Sequence, residues 1–507
     1  MSSEDPLLKR VRARLDSTSG VVAPVPAPSV RALLDSRRFA EALAEARRVC
    51  EASGADPAYA CWIGRAAAYA GQLHGAQQWL ELAVQANAED AKAHVALGQL
   101  QRRLGRLEVA LAHLHRAIVL RPGSASLRAY YCGALLASGD PAAAEREARA
   151  GLQSWPNESL LVGPLASALL AQNRSADAIE LLEGQAQRVS DRDFRLELAD
   201  NYLRAGKYRE GFDAYEARRQ QSRILAQWYV PDPPLYQPEW KGGALGGRRV
   251  LLVHEQGFGD TLMALRYAAV LSATGKEVSI AVPQALERLL RAQRYLRRVY
   301  GDGEPIPRAA YDCWCHVMSL PRLLGEDGSG GMARIPYISW KDEASLPDSP
   351  AQLRVGVCWA GSGAYRDDGL RSLSARQLAP LAKIPGVRLV CCQYGVAPTA
   401  LPPRVEAPLR PIADLADTAA LIAQLDLLIS VDTAPAHLAG AMGWEVWLLN
   451  RWFGDWRWGD SGAATHWYPT MRILRQPRAG DWESVIAEAG RLLAERARAK
   501  RSGNPTR

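Results

Sequence analysis

The sequence predicts an α plus α/β fold, in which a superhelix of paired helices precedes two doubly wound α/β halves. The first observation is an internal period of 34 residues between positions 30 and 190. The second is an alternation of short apolar runs with helical segments after position 248. The proline- and glycine-rich stretch 230–247 separates the two regions. At 507 residues the chain exceeds the size of a single core, so two or three domains are expected.

Composition predicts a soluble protein of the cytoplasm. Apolar residues make up 48% of the chain and charged residues 23%, and no run of about 18 apolar residues occurs. The segment "MSSEDPLLKRVRARLDS" is charged throughout and lacks the apolar core of a secretory signal. Eight scattered cysteines are typical of a reducing compartment. Basic residues are interleaved with acidic ones, so the net charge of +8 does not indicate a nucleic-acid partner.

Three columns of small residues share the period of 34. They are Gly64 and Gly98; Gly71, Gly105 and Gly139; and Ala76, Ala110, Ala144 and Ala178. Each unit is predicted to form two helices joined by a turn at a glycine. The small residues let the paired helices approach closely. The clearest copy is "AHVALGQLQRRLGRLEVALAHLHRAIVLRPGS", which ends beside Pro122. These residues resemble the tetratricopeptide repeat over about residues 28–220.

Stacked repeats of this kind form a superhelix with a concave surface, because one unit cannot bury its own apolar face. Such a groove implies a protein partner, bound as an extended peptide or a helix. A structural spacer, or an oligomer formed through the repeats, is the alternative. Residues 1–27 are expected to be a flexible leader, since they include "STSGVVAPVPAPSV".

The second region predicts parallel sheets with helices on both faces, because its apolar runs alternate with helical segments. The runs interpreted as strands are "VLLV", "EVSIAV", "LRVGVCWA", "VRLVCCQ", "LDLLISV" and "WEVWLLN". They fall into two groups, so we expect one half at 248–345 and another at 350–490. Residues 221–247 are then a linker, and residues 491–507 a basic tail.

The stretch "HEQGFGDTLMALRY" lies between the first strand and a predicted helix. Gly257 and Gly259 permit a close backbone approach to a ligand at this turn. A dinucleotide fingerprint would need a third glycine where Leu262 stands, and no glycine-lysine-threonine end indicates a P-loop. A nicotinamide, flavin or P-loop nucleotide site is therefore excluded here.

The stretch "LDLLISVDTAPAHLAGAMG" places Asp432 and Thr433 between a buried strand and a helix. Pro435 in the first turn is typical of a helix start, where free N–H groups and the helix dipole favour a phosphate. His437, one turn further on, is expected at the same end. Taken alone, such an Asp-Thr pair is more often explained by simple helix capping.

Together the two stretches resemble the ADP-heptose-transferase-like glycosyltransferases of the GT-B architecture, over about residues 248–490. With "DWRWGDSGAATHWYPTMRILRQPRAGDWESVI", they look most like bacterial proteins that join tetratricopeptide repeats to such a domain. The resemblance implies two Rossmann-like halves, with the acceptor on the first and the nucleotide-sugar on the second. It also implies an inverting, metal-independent reaction with no cofactor besides the nucleotide-sugar co-substrate.

Glycosyl transfer to a hydroxyl needs a base for the acceptor proton. The resemblance assigns this role to Asp260, while Glu255 in the same loop is the rival. Asp260 could instead cap the helix that follows.

The leaving phosphate needs positive charge or helix-end donors. Thr433 and the N–H groups after it are expected to hold the diphosphate, together with Asp432 and His437. By resemblance Arg371 faces the phosphate, with Arg366 as the fallback. Gln393, at the end of a predicted strand, is expected near the nucleoside.

Two further clusters invite chemical interpretations. Trp452, Phe453, Trp456 and Trp458 could stack on a sugar or a base, but we expect at least two of them in the core. Asp455 and Arg457 could form a salt link that orients the cleft. Cys313, Cys315 and His316 contain zinc-type ligands, yet strand alternation directs His316 away from the two thiols, so no metal site is predicted.

The sequence therefore predicts a glycosyltransferase that modifies serine or threonine of a protein held by the repeats, with flagellin as one such acceptor. One alternative is the same glycosyl transfer to a lipopolysaccharide or another glycan. The other alternative is a repeat scaffold whose GT-B domain is inactive.

Overall fold

The computed structural model describes residues 5–17, 28–36, 38–156, 158–172, 174–186, 192–220, 235–329, 335–340, 352–362, 368–408, 410–459 and 461–502. The chain divides into two compact units. The first comprises Met1–Gln185 with Ser362–Leu370, and the second Ala186–Gly361 with Arg371–Arg507.

The first unit is built from consecutive helices that pair as antiparallel hairpins. They are α1 (Pro6–Ser17), α2 (Pro28–Asp35), α3 (Phe39–Ala52), α4 (Ala60–Tyr69), α5 (Leu73–Ala86), α6 (Ala91–Arg103), α7 (Leu107–Leu120), α8 (Ala125–Ala137), α9 (Pro141–Ser154), α10 (Ser159–Ala171) and α11 (Ser175–Ala186). Helices α4 to α9 follow the predicted repeat, with two helices and one tight turn in each copy. The predicted repeat architecture is confirmed.

The repeat columns have a direct packing explanation. Gly64 of α4 and Gly98 of α6 face Leu80 and Leu114 of the next helix, and a Cβ on either glycine would lie within 2.8 Å of the leucine side chain. The four alanines of the third column are completely buried. The three turn glycines have φ between 74° and 83°, a conformation that disfavours other residues.

The predicted flexible leader is wrong for residues 6–17, which form α1. Leu7, Leu8 and Val11 on this helix are buried in the core of the first unit. Three apolar residues at helical spacing outweigh the charged residues around them. Residues 18–27, with the proline-containing stretch, lie outside the described part of the chain.

The second unit begins with a helical hairpin, α12 (Arg192–Arg204) and α13 (Tyr208–Tyr215), followed by a 3-10 turn at Glu216–Gln220. A four-stranded parallel sheet follows, ordered β3-β2-β1-β4. Its elements are β1 (Val250–Val253), α14 (Phe258–Ala273), β2 (Val278–Ala281), α15 (Gln284–Arg291), β3 (Arg298–Tyr300), β4 (Cys313–His316) and α16 (Leu320–Leu324). The repeat-like helices α12 and α13 thus belong to the same unit as the sheets, although the sequence grouped them with the repeats.

A second, six-stranded parallel sheet has the order β10-β9-β8-β5-β6-β7. Its elements are β5 (Leu353–Cys358), α17 (Asp368–Arg371), β6 (Val387–Cys391), β7 (Val405–Glu406), α18 (Leu415–Ile422), β8 (Leu427–Val431), α19 (Ala434–Ala441), β9 (Val446–Asn450), β10 (Met471–Arg475) and α20 (Trp482–Arg501). The predicted pair of doubly wound α/β halves is confirmed. The predicted basic tail at residues 491–507 begins inside α20, which continues to Arg501. Leu492, Leu493 and Ala497 in this part of the helix are buried.

Each sheet has one point at which the strand order changes direction. In the first sheet this point lies between β1 and β4, and in the second between β5 and β8. Open parallel sheets bind ligands beyond the carboxyl ends of the strands at such points. The two stretches singled out in the sequence follow β1 and β8, so both occupy these positions.

Candidate active site at the carboxyl ends of the two sheets

The turn after β1 is tight because the buried strand must lead at once into α14. Gln256 adopts a left-handed conformation with φ 63°, and its side-chain oxygen accepts a hydrogen bond of 2.8 Å from the Tyr215 hydroxyl. Positive φ at a residue other than glycine is strained and is common at functional turns. Gly257 is the N-cap of α14 and is exposed, as is Phe258 in the first turn.

Asp260 has both of its carboxylate oxygens engaged. One accepts a hydrogen bond of 2.9 Å from the Gly257 backbone N–H, which is the capping interaction anticipated as the alternative role. The other accepts a bond of 2.6 Å from the Arg457 guanidinium. The side chain keeps 22% of its surface exposed. Burial raises the pKa of Asp260, and the nearby Arg457 offsets only part of this effect.

The structure argues against Glu255 as a base. This residue is completely buried, and its two oxygens accept hydrogen bonds of 2.8 and 3.0 Å from Arg218. One of them also accepts from the Met318 backbone N–H at 2.9 Å. A carboxylate held by a bidentate arginine and enclosed by protein has a structural role, joining the 3-10 turn after α13 to the ends of β1 and β4.

The turn after β8 presents the start of α19. Thr433 is its N-cap residue, but the hydroxyl bonds to Ser430 at 3.0 Å and to the Val431 carbonyl at 3.2 Å. Arg371 donates to the Asp432 carbonyl oxygen at 2.9 Å and so lies at this helix start. Burial raises the pKa of Asp432, and the negative charge of Asp455 adds to the rise.

His437 lies between the two helix starts. A Cβ added to Gly259 would lie 2.7 Å from Cδ2 of His437, so this glycine makes room for the imidazole. The predicted approach of a ligand to the backbone at Gly259 stays a prediction. The His437 Nδ1 is 2.9 Å from the Tyr468 hydroxyl, and its Nε2 is 3.9 Å from an Asp432 oxygen. Burial lowers the pKa of His437 to about 3, so the ring is neutral near pH 7.

Gln393 is folded back onto its own sheet, and the predicted contact with a nucleoside is not favoured. Its side-chain oxygen accepts hydrogen bonds from the backbone N–H groups of Trp359 and Ala360 at 3.1 and 3.0 Å. Its side-chain nitrogen donates to the Ala360 carbonyl at 3.0 Å. The amide therefore fastens the loop after β5. Arg366 lies outside the described residues.

The sequence predicted only one of the two carboxylates that Arg457 contacts. The anticipated link to Asp455 is present at 2.8 Å, and the guanidinium lies 4.2 Å from the Trp456 ring centroid. Arg457 also reaches Asp260, which is 197 positions away, and no local pattern signals such a contact. Trp456 and Trp458 are buried, as expected for at least two of the four aromatic residues.

Within the described residues, no group of three or more His, Cys, Asp and Glu side chains is arranged to hold a metal ion. Cys313 and Cys315 are buried in the core that surrounds the first sheet, and Trp314 stands edge-on to His316 with the ring centroids 5.3 Å apart. In the described part of the chain, no helix has the length and apolarity needed to cross a bilayer.

No family model matches the chain. Protein FlbA of Caulobacter vibrioides is 27% identical over 335 residues, which cover 58% of this chain and 53% of that protein. The chain therefore matches only about half the length of this curated relative. Among solved structures, an O-GlcNAc transferase of Thermobaculum terrenum covers 88% of this chain and 94% of its own, with 16% identity and a TM-score of 0.32. A tetratricopeptide repeat protein of Parabacteroides merdae covers 38% of this chain and 76% of its own, with 12% identity and a TM-score of 0.35.

Proposed function

We propose that the chain is a glycosyltransferase that moves a sugar from a nucleotide-activated donor to a serine or threonine hydroxyl of a protein. The observation that carries this proposal is the meeting of two helix starts, α14 and α19, each at the switch point of its own parallel sheet. One start carries a carboxylate, and the other offers the groups suited to a diphosphate. The acceptor then lies on the first sheet and the donor on the second.

The start of α19 would hold the leaving diphosphate. Arg371 adds positive charge there, and His437 adds a neutral ring between the two helix starts. As the bond between the anomeric carbon and the phosphate oxygen breaks, negative charge grows on that oxygen. Fixed donors at this position stabilise the charge without an added metal.

Asp260 would accept the acceptor proton while the hydroxyl oxygen attacks the anomeric carbon from the opposite face. A carboxylate whose pKa is raised is a better base near neutral pH. Its cap to Gly257 and its pair with Arg457 fix its orientation, and its exposed fraction leaves the carboxylate accessible. Inversion at the anomeric carbon follows from this single displacement.

The helical hairpins of the first unit support a protein as the acceptor, because stacked repeats commonly bind an extended segment or a helix. Flagellin is a candidate acceptor on the resemblance of the sequence alone. A glycan acceptor would use the same two helix starts but would not need the repeats.

The first experiment is calorimetry with UDP, GDP, ADP, CDP and CMP. We expect one of the diphosphates to bind, and Arg371→Met to weaken its binding by about tenfold, as for the loss of a charge-assisted contact. Arg376→Met is the matched control, since Arg376 is an exposed arginine of the same half. Failure of all five nucleotides to bind would favour the inactive scaffold.

The second experiment tests Asp260→Asn with the sugar nucleotide that matches the bound diphosphate. The amide can still cap α14 but cannot take a proton, so we expect transfer to fall by at least about a hundredfold, with diphosphate affinity nearly unchanged. Asp312→Asn is the matched control, because Asp312 also bonds a backbone N–H and an arginine, those of Arg249. Transfer at the wild-type rate by Asp260→Asn would remove Asp260 from the base role.

A further inference from the structure

The guanidinium of Arg457 is shared between two carboxylates of the second unit. Its Nη2 donates to an Asp260 oxygen at 2.6 Å, and its Nη1 donates to an Asp455 oxygen at 2.8 Å. Asp260 lies in the first turn of α14, whereas Asp455 and Arg457 lie in the loop after β9. The Arg457 side chain is only 7% exposed. One buried cation therefore faces two anions.

The two carboxylates contact Arg457 to different extents. One Asp455 oxygen accepts from the Arg457 guanidinium and, at 3.0 Å, from the Arg457 backbone N–H, so that it also caps the 3-10 turn Trp456–Trp458. Asp260 accepts one bond from Arg457, and its other oxygen accepts from the Gly257 backbone N–H. Arg457 is therefore tied to Asp455 through both its backbone and its side chain.

This sharing bears on how Asp260 could act as a base while it is bonded to an arginine. A single arginine beside a carboxylate stabilises the ionised form and makes the carboxylate a weaker base. When Asp260 takes up a proton, its negative charge is lost, but Arg457 still has Asp455 as a counter-ion. Without Asp455, the same proton uptake would leave a buried cation without a bonded anion, which is costly.

We propose that Asp455 is a positioning residue of the candidate site, which balances the charge of Arg457 so that Asp260 is held in place and can still accept a proton. In the transfer step, the acceptor oxygen forms a bond to the anomeric carbon as the bond from that carbon to the phosphate oxygen breaks. The proton of the acceptor hydroxyl goes to Asp260, and Asp455 takes no part in these bond changes. The transfer step rests on the proposed function, whereas the charge balance at Arg457 does not.

The acidities of the two carboxylates agree with this division. Burial raises the pKa of Asp260; Arg457 opposes the rise and Asp455 adds to it. Burial disfavours the ionised form of Asp455 too, but Arg457 outweighs it and lowers the pKa of Asp455. Carboxylates whose pKa values are moved apart suit different roles, here a proton acceptor and a permanent anion. Other titratable groups that interact with this pair come from α12, α13, the ends of β1 and β8, and α19: Arg204, Tyr215, Glu255, Asp432 and His437.

The test is an infrared titration of the full chain, labelled with ¹³C at the aspartate carboxyl groups, from pH 4 to 8. The difference between each protein and its Asp260→Asn counterpart isolates the Asp260 band. Asp455→Asn and Asp455→Ser remove the charge but keep an oxygen that can cap the turn, while Asp455→Glu keeps the charge. Asp481→Asn is the matched control, because Asp481 also caps a helix and pairs with an arginine, Arg478.

We expect the titration midpoint of Asp260 to fall by about one pH unit in Asp455→Asn and Asp455→Ser, as for the loss of a nearby like charge. It should stay near the wild-type value in Asp455→Glu and Asp481→Asn. If one of the two neutral variants fails to fold, the other carries the comparison. An unchanged midpoint in the neutral variants, or an equal fall in Asp481→Asn, would overturn the proposal.

The pH dependence of turnover tests whether the reaction uses this charge balance. Hydrolysis of the sugar nucleotide that matches the bound diphosphate needs no identified acceptor, since water takes the place of the hydroxyl. We expect the acidic limb of kcat to move to lower pH in the neutral variants, and the rate near pH 7 to fall severalfold because Asp260 is a weaker base. A lack of turnover with every sugar nucleotide would count against the proposed function, and the midpoint of Asp260 would still decide the role of Asp455.

Discussion

Two carboxylates five positions apart, Glu255 and Asp260, have opposite environments. Glu255 is enclosed and bonded to Arg218, while Asp260 retains exposed surface and faces Arg457. Spacing along the chain does not distinguish them, because the turn at Gln256 buries one side chain and leaves the other partly exposed. Asp260 is therefore the candidate base of the two.

Loss of the buried pair should be costly. We expect Glu255→Gln or Arg218→Met to lower the free energy of unfolding of the second unit by about 3–5 kcal/mol, because each leaves a buried charge without its main partner. The partly exposed pair of Arg249 and Asp312 provides the comparison, and Asp312→Asn should cost less than about 1 kcal/mol. Urea unfolding followed by circular dichroism measures both. Equal costs for the two pairs would contradict the structural role of Glu255.

The helices α14 and α19 approach each other closely at their first turns, and Gly259 makes this approach possible. We expect Gly259→Ala to cost about 1–3 kcal/mol, because its Cβ would lie 2.7 Å from the His437 ring. Diphosphate binding should weaken as α19 shifts. Gly490→Ala in α20 is the control: its Cβ would meet ordinary contacts at 3.5 Å, and alanine favours a helix. Thermal unfolding that ranks the two variants equally would reject this explanation.

The hairpin α12–α13 is packed into the second unit by aromatic contacts. Phe212 is buried 5.7 Å from Trp456, and Tyr208 lies 5.6 Å from Trp467, both measured between ring centroids. Arg204 donates to the Gly454 carbonyl at 2.7 Å. Together with Arg218, these residues join the hairpin to the loops that carry the candidate site.

Cutting the chain before or after this hairpin should have different results. We expect a variant without residues 1–185 to keep a cooperative unfolding transition and diphosphate binding, and to lose transfer to a protein acceptor. A variant without residues 1–220 should lose cooperative unfolding, because it lacks Phe212 and leaves Glu255 without Arg218. Calorimetry and circular dichroism compare the two, and equally stable products would contradict the unit boundary.

The stability of the whole molecule should fall below neutral pH. Burial lowers the pKa of His254 to about 4 and that of His437 to about 3. In the unfolded chain both histidines have a pKa near 6.5, so their full contribution to the free energy of unfolding is present above that pH. Between about pH 6.5 and 4 the unfolded chain binds protons that the folded rings exclude, and each histidine costs about 1.4 kcal/mol per pH unit. Urea midpoints from pH 7.5 to 5 measure this, and a flatter dependence is expected for His437→Gln. A stability that rises on acidification would contradict the prediction.

Much of the architecture was predictable because its signals are local. The columns of Ala76 and Gly71 recur at a fixed period, since each repeat meets only its neighbours. The alternation of apolar runs predicted parallel sheets, and the turns at Gly257 and Thr433 indicated which loops follow their strands. These features depend on a few adjacent residues, so the sequence alone specifies them.

The tertiary structure decided how the side chains of those loops are used. It pairs Asp260 with Arg457, encloses Glu255 with Arg218 and folds Gln393 back onto its own sheet. Such contacts depend on strand order and on which helices pack together, and these bring residues up to 197 positions apart into contact. By itself the sequence determined the repeats, the two α/β halves and the positions of the two loops. Only the packed fold decided which of their polar groups remain exposed, because the burial of each group is set by elements distant in the chain.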